Sequence, residues 1–125
     1  AGGLKEGCEK VISGGPMMGF AMYTTDTPIT KTSSSILCMS KDEVSACEPT
    51  ACINCGRCVD ACPSRIIPSR LADFAERHDE EAFLKFNGLE CVECGSCSYV
   101  CPAKRQLKQA IGSMRKTTLA NRRKK

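Results

Sequence analysis

Cys52-Ile53-Asn54-Cys55-Gly56-Arg57-Cys58-Val59-Asp60-Ala61-Cys62-Pro63 and Cys91-Val92-Glu93-Cys94-Gly95-Ser96-Cys97-Ser98-Tyr99-Val100-Cys101-Pro102 decide how this chain is read. Both follow C-x₂-C-x₂-C-x₃-C-P, with glycine at the same inner position and proline closing each run. Three cysteines separated by two residues can present three thiolates to one small body from a single tight loop. The fourth is carried away by the start of a helix and by a proline that cannot continue ladder hydrogen bonding. It is left to serve a neighbour.

This is the spacing by which paired [4Fe–4S] clusters are held, each run's fourth cysteine ligating the other cluster. The expected ligands are therefore Cys52, Cys55, Cys58 and Cys101 for cluster 1, and Cys91, Cys94, Cys97 and Cys62 for cluster 2. No catalytic side chain is expected. Gly56 and Gly95 sit where the backbone turns tightly beside the cluster, a turn that glycine makes without a Cβ clash. Ile53, Val59, Val92 and Val100 are the expected apolar shield. Zinc is the alternative metal, because Cys₄ sites built from C-x₂-C pairs are common. It gains nothing from the third cysteine and the C-P ending.

Composition limits the rest. The chain has 125 residues and 11 cysteines, enough for one domain or one and a half with a modest core. A disulfide framework is the other reading of so many cysteines, but eight lie in the two runs, and Cys8, Cys38 and Cys47 are an odd remainder. Cys8 and Cys38 read as small buried hydrophobes. Cys47, five residues before Cys52, is a conceivable spare ligand or redox-sensitive thiol. No stretch reads as a signal peptide or reaches membrane-spanning length, so a reducing cytoplasm is expected. The chain begins at Ala1 without a methionine, which suggests a segment of a larger subunit. Residues 1–45 carry a net charge of −1, residues 46–103 −4 and residues 104–125 +9, an asymmetry that usually means different surroundings.

The expected fold class is α+β, with a short β-rich N-terminal segment, a helical two-cluster ferredoxin module and a C-terminal amphipathic helix. Residues 1–45 read as a connecting segment, 46–116 as the cluster domain and 117–125 as a basic tail. Val11-Ile12-Ser13, Phe20 to Tyr23 and Ser35 to Met39 are strand candidates, with Gly14-Gly15-Pro16 a tight turn over packed methionines. Lys41 to Val44 could open a helical turn. Leu71, Phe74, Ala75 and His78 lie at helix spacing after Pro68-Ser69. A second short helix is expected over Ala82 to Phe86, with His78 a surface residue. Leu107, Ala110, Ile111 and Met114 form an apolar stripe opposite Lys104, Arg105, Lys108 and Arg115. The tail from Arg122 to Lys125 reads as solvated, with an anionic lipid surface or an acidic subunit as its candidate contact; nucleic acid is not expected, there being no recognition motif or interleaved aromatic residue.

Val11 to Phe20, Asp26-Thr27-Pro28 and Lys31-Thr32, followed by the two cysteine runs, resemble the C-terminal part of the C subunit of the Rnf complex. The resemblance implies an electron-transfer module of a membrane oxidoreductase that couples electron flow between ferredoxin and NAD to sodium or proton movement. It also implies a peripheral position on the cytoplasmic face of the membrane, with the other subunits of the complex and ferredoxin as partners. By the same resemblance residues 1–45 are the end of a β-grasp-like domain, and FMN and NAD(H) would bind only in a region upstream of this chain. A cobalamin reductase is similar through the same region, and a structural, non-redox iron–sulfur module is a further alternative.

Overall fold

The computed structural model describes residues 3–124. Ala1, Gly2 and Lys125, the outermost residues of the expected N-terminal segment and basic tail, lie outside the described residues. Two compact units divide the chain, Ala1–Glu48 and Pro49–Lys125. The class is α+β, a small antiparallel sheet in one unit and helices in the other.

In the first unit β1 (Lys10–Ser13) lies between β2 (Phe20–Ala21) and β3 (Ile36–Met39), antiparallel to both. Ile12 faces Ala21 on one side, and Val11 faces Cys38 on the other. Gly14, at φ 100°, makes the turn, and its N–H donates to the Ser35 carbonyl at 2.8 Å. Gly19 is packed so closely that a Cβ there would meet the Gly15 carbonyl and the Ile12 side chain. Met17 and Met18 do not pack beneath this turn; both are exposed. The sheet is one layer, with Ile12 its buried residue among those described. Lys41 to Val44 leads into a hydrogen-bonded turn, not a helix, the Cys47 N–H donating to the Val44 carbonyl at 3.2 Å. The Asp42 carboxylate opens it by accepting from the N–H groups of Val44 and Ser45, the geometry of an N-cap. Lys10 Nζ lies 2.8 Å from Asp42, and its hydrogen bond holds the carboxyl below the usual range against partial desolvation. Cys8 is half-buried, whereas Cys38 is exposed on the edge strand β3 and Cys47 is exposed in a loop. Cys38 is thus not the buried hydrophobe expected.

The second unit is helical: α1 (Arg57–Asp60), α2 (Pro68–Glu76), α3 (Glu80–Lys85), α4 (Ser96–Tyr99) and α5 (Leu107–Arg123), with a 3₁₀ turn over Gly88–Glu90. Pro68 takes the first turn of α2, where its missing N–H would be unpaired in any case. Asp79 caps α3 by accepting from the Ala82 N–H at 2.9 Å, satisfying an orphan donor. His78 lies between these helices at φ 57°. Phe74 and Phe86 join α2 to the end of α3, their rings 5.1 Å apart and tilted. The core runs between α2 and α5, where Leu71, Ala72, Phe83 and Ile111 are fully buried, with Leu107 and Met114 beside them. Cys58, Cys62, Cys91 and Cys101 pack against it.

Residues 117–123 are the last turns of α5, not a separate tail. Thr117 and Thr118 are β-branched and hence weak helix formers. Thr118 is nonetheless fully buried, and it extends the Leu107, Ile111, Met114 stripe by one turn, so packing overrides propensity. Arg122 and Lys124 line a groove with Glu80, Glu81 and Leu84 of α3. The basic end therefore faces acid of its own unit.

Candidate metal centre

The two cysteine runs fold alike because their backbones repeat 39 positions apart. Asn54 and Glu93 have φ 54° and 55°, Gly56 and Gly95 78° and 85°, and Arg65 and Lys104 52° and 53°. Gly56 and Gly95 precede α1 and α4 in the left-handed conformation, and their carbonyls accept from Val59 and Asp60, and from Ser98 and Tyr99. Left-handed residues in alternation are the backbone geometry of anion-binding concavities, Fe–S sites among them. At Asn54 and Glu93 that geometry costs about 1–2 kcal/mol each, more readily borne by asparagine than by glutamate.

Each loop carries its third cysteine, Cys58 or Cys97, in its short helix, and the fourth follows the helix. There the two runs cross. Cys52, Cys55 and Cys58 line a cavity of about 110 Å³ whose wall includes Cys101, not Cys62. Cys91, Cys94 and Cys97 line a second cavity whose wall includes Cys62. Packing of α1 on α4 brings the runs together, and the Thr50 N–H ties the entry of the first run to the Ala103 carbonyl at the exit of the second, at 2.9 Å. All eight expected ligands thus fall into two groups of four, three from one run and one from the other. Among the described residues no three His, Cys, Asp or Glu side chains converge closely enough to hold a single ion. The second cavity measures about 20 Å³, against about 110 Å³ for the first.

Thiol acidity differs within the second run. Burial pushes Cys97 up to about 11 and raises Cys91 as well, whereas the Ser96 hydroxyl and N–H lower Cys94. A bound cation reverses the burial penalty, since a coordinating thiol is deprotonated outright.

The expected shield is only partly in place. Val59 and Val100 are half-buried, but Ile53 and Val92 are 65% and 57% exposed. Both border a cavity, Ile53 the first and Val92 the second, while staying open to solvent. Leu107 and Ala103 line the first cavity, and Ile66, Pro68 and Ile111 the second.

Charged neighbours of the two sites leave no mark in the sequence. Arg105 lines the first cavity, and its Nη2 lies 2.9 Å from both Asp73 Oδ1 and Glu76 Oε1. Desolvation opposes its charge, but the two carboxylates outweigh it and strengthen the guanidinium's hold on its proton. At the second site Arg115 Nη1 lies 3.2 Å from Glu93 Oε1, and Arg115 Nε donates to the Leu89 carbonyl at 3.2 Å. Gly112 of α5 leaves room for that carboxylate, since a Cβ would sit 3.1 Å from Glu93 Oε2. Helix periodicity places Arg115 on α5 but carries no sign of what it reaches.

A family profile described as a 4Fe-4S dicluster domain matches residues 51–105, which hold all eight cysteines. The helical unit is thus an iron–sulfur domain of the dicluster ferredoxin class. The C subunit of the Na(+)-translocating ferredoxin:NAD(+) oxidoreductase complex of Acetobacterium woodii is 45% identical over 123 residues, 98% of this chain and 28% of that protein. The proton-translocating counterpart of Clostridium ljungdahlii is 52% identical over 111 residues, 88% of this chain and 24% of its own length. The C subunit of the ion-translocating oxidoreductase complex of Methanosarcina acetivorans is 46% identical over 110 residues, 88% and 25%. This chain belongs to that family, the C subunits of Rnf complexes, and it spans about a quarter of the length of the relatives it matches.

Proposed function

We propose that the chain is the electron-transfer module of an ion-translocating ferredoxin:NAD oxidoreductase complex, carrying two [4Fe–4S] clusters. Cys52, Cys55, Cys58 and Cys101 hold cluster 1, and Cys91, Cys94, Cys97 and Cys62 hold cluster 2. The observation that carries this is the crossed grouping of the eight cysteines around two cavities. When bound, a [4Fe–4S] cluster stores and returns a single electron without transfer of atoms, at potentials between about −700 and +450 mV.

The protein's part is to hold and to insulate. Gly56 and Gly95 let each loop close around its three thiolates, while Leu107 and Ile111 exclude water from the inner walls. Packing of α1 on α4 keeps the two sites in one helical unit, which suits passage of an electron from one to the other. The family supports a place among the other subunits, on the cytoplasmic face of the membrane and in exchange with ferredoxin. No helix among the described residues is long and apolar enough to cross a membrane. FMN and NAD(H) sites belong to sequence outside this chain, and the coupling ion differs between the relatives themselves.

Anaerobic preparation tests the reading. The protein is expected to be brown, to contain roughly eight iron atoms with matching sulfide, and to give reversible low-potential electron paramagnetic resonance signals. Stoichiometric zinc in a colourless protein would refute the cluster assignment, and iron that cannot be reduced would refute electron transfer. Recovery with membrane subunits supports the Rnf assignment, whereas a soluble protein that reduces cobalamin would replace it.

A further inference from the structure

Among the described residues, Arg105 is the one charged side chain in the wall of the first cavity. It is only 11% exposed, whereas Asp73 and Glu76, which bind it, are 36% and 58% exposed and do not line the cavity. Arg105 thus borders the space among the four thiolates, and its counter-charges lie outside that wall, nearer to solvent. Resting on the cluster reading above, we propose that Arg105 sets the potential of cluster 1, with Asp73 and Glu76 moderating it.

The physical argument is one of sign and distance. Reduction passes one electron from a low-potential reductant into a cube already held by four thiolates; no bond forms or breaks, and the charge of the site falls by one unit. A fixed positive charge at the wall stabilises the more negative state, and with water excluded that attraction is weakly screened. The carboxylates act in the opposite direction but from farther out and nearer to water, where screening is strong. Arg105 therefore raises the potential of cluster 1, and the carboxylates reduce that effect without cancelling it. Cluster 2 has a different charge setting: the matching position in its cavity wall is taken by apolar Ile66, and the wall carries Lys108 together with Glu93, which is paired with Arg115.

The test is a redox titration of the intact, cluster-loaded protein, with the two clusters told apart by the contact-shifted β-protons of their assigned cysteines. Arg105→Gln is expected to shift the oxidised-to-reduced ratio of cluster 1 about tenfold toward oxidised at fixed ambient potential, a change of about 59 mV for a one-electron couple. Arg105→Lys should recover most of it. Asp73→Asn with Glu76→Gln, which leaves Arg105 in place, should move the ratio about threefold the other way. It also keeps the idea testable if loss of Arg105 prevents folding. Equal shifts at both clusters, no shift with both clusters present, a lysine variant that behaves like glutamine, or an Asp73/Glu76 variant that shifts downward would each overturn the proposal. Failure of the wild-type protein to bind iron would instead overturn the cluster reading beneath it.

Discussion

The two cysteine loops share one backbone and differ in what covers them. Residues 53–57 of the first loop are all exposed, Cys55 included, whereas in the second loop Glu93, Cys94, Gly95 and Ser96 are half-buried and Cys97 is buried. The cause is α5. Its Gly112 admits the Glu93 side chain, and its Arg115 grips both that carboxylate and the Leu89 carbonyl. Asn54, at the matching place in the first loop, meets no such clasp; its side-chain oxygen lies 3.8 Å from the Cys52 thiol. A repeated motif thus yields one open site and one covered site, because the helix that follows the second run folds back on that run. The open loop is where an electron could enter or leave.

Crossing is the feature whose removal should do most. Cys62→Ser is expected to cost about four of roughly eight irons, and those of the covered site, although Cys62 belongs to the first run. Cys101→Ser should empty the open site instead. Iron analysis with cysteine β-proton spectra decides it; if Cys62→Ser empties the Cys52, Cys55, Cys58 site, each run ligates its own cluster. Because metal binding contributes folding free energy, either variant should also unfold at lower denaturant concentration.

Next in size is the packing that makes the covered site covered. Ile111 is fully buried and lines the second cavity, so Ile111→Ala is expected to destabilise the helical unit by about 2–5 kcal/mol, read by chemical denaturation. It should also make the second cluster as quick to bleach with ferricyanide as the first. If the covered cluster of the wild-type protein already bleaches as fast as the open one, the difference in burial has no chemical consequence.

How much of this is legible in the sequence follows from the range of each signal. Cysteine spacing, the Pro68 and Asp79 helix starts and the three strands are local patterns, and the folded chain keeps them within a residue or two. The α5 stripe is legible only to Met114, because Thr118 is polar and nothing but its burial marks it as a core residue. The exposure of Ile53 and Val92 escapes a reading by composition, because apolar character says "inside" while each borders its cavity and stays open to solvent. Left-handed Asn54 could be suspected, since asparagine tolerates φ > 0; Glu93 could not, as its conformation is imposed by the motif and held through Arg115. Arg105, with partners about 30 positions earlier in the chain, carries no local mark at all.

Smaller effects test whether the two loops are equivalent in backbone. Gly56→Ala places a Cβ where nothing lies within 4 Å, at φ 78°. Its cost is therefore backbone strain alone, about 1–2 kcal/mol. Gly95→Ala, at φ 85°, should cost at least as much, because the covered loop has less freedom to relax. Denaturation midpoints of the two variants give the comparison directly. A markedly cheaper Gly95→Ala would mean that the contacts of α5 do not stiffen that loop.

The smallest expected effect isolates the clasp itself. Arg115 and Glu93 side chains are 32% and 19% exposed, so solvent screens their attraction, and Arg115→Gln is expected to lower global stability by only about 0.5–1 kcal/mol. Its local effect should be larger than that figure suggests. Glutamine is too short to span both Glu93 and the Leu89 carbonyl, so residues 91–96 lose their anchor to α5 while residues 52–57 never had one. Hydrogen exchange measured on the cluster-loaded protein should rise in the second loop toward the rate of the first and leave the first unchanged. Exchange that stays slow at 91–96 would assign the cover to Gly112 and the apolar stripe of α5, with the ion pair a passenger on packing that holds without it.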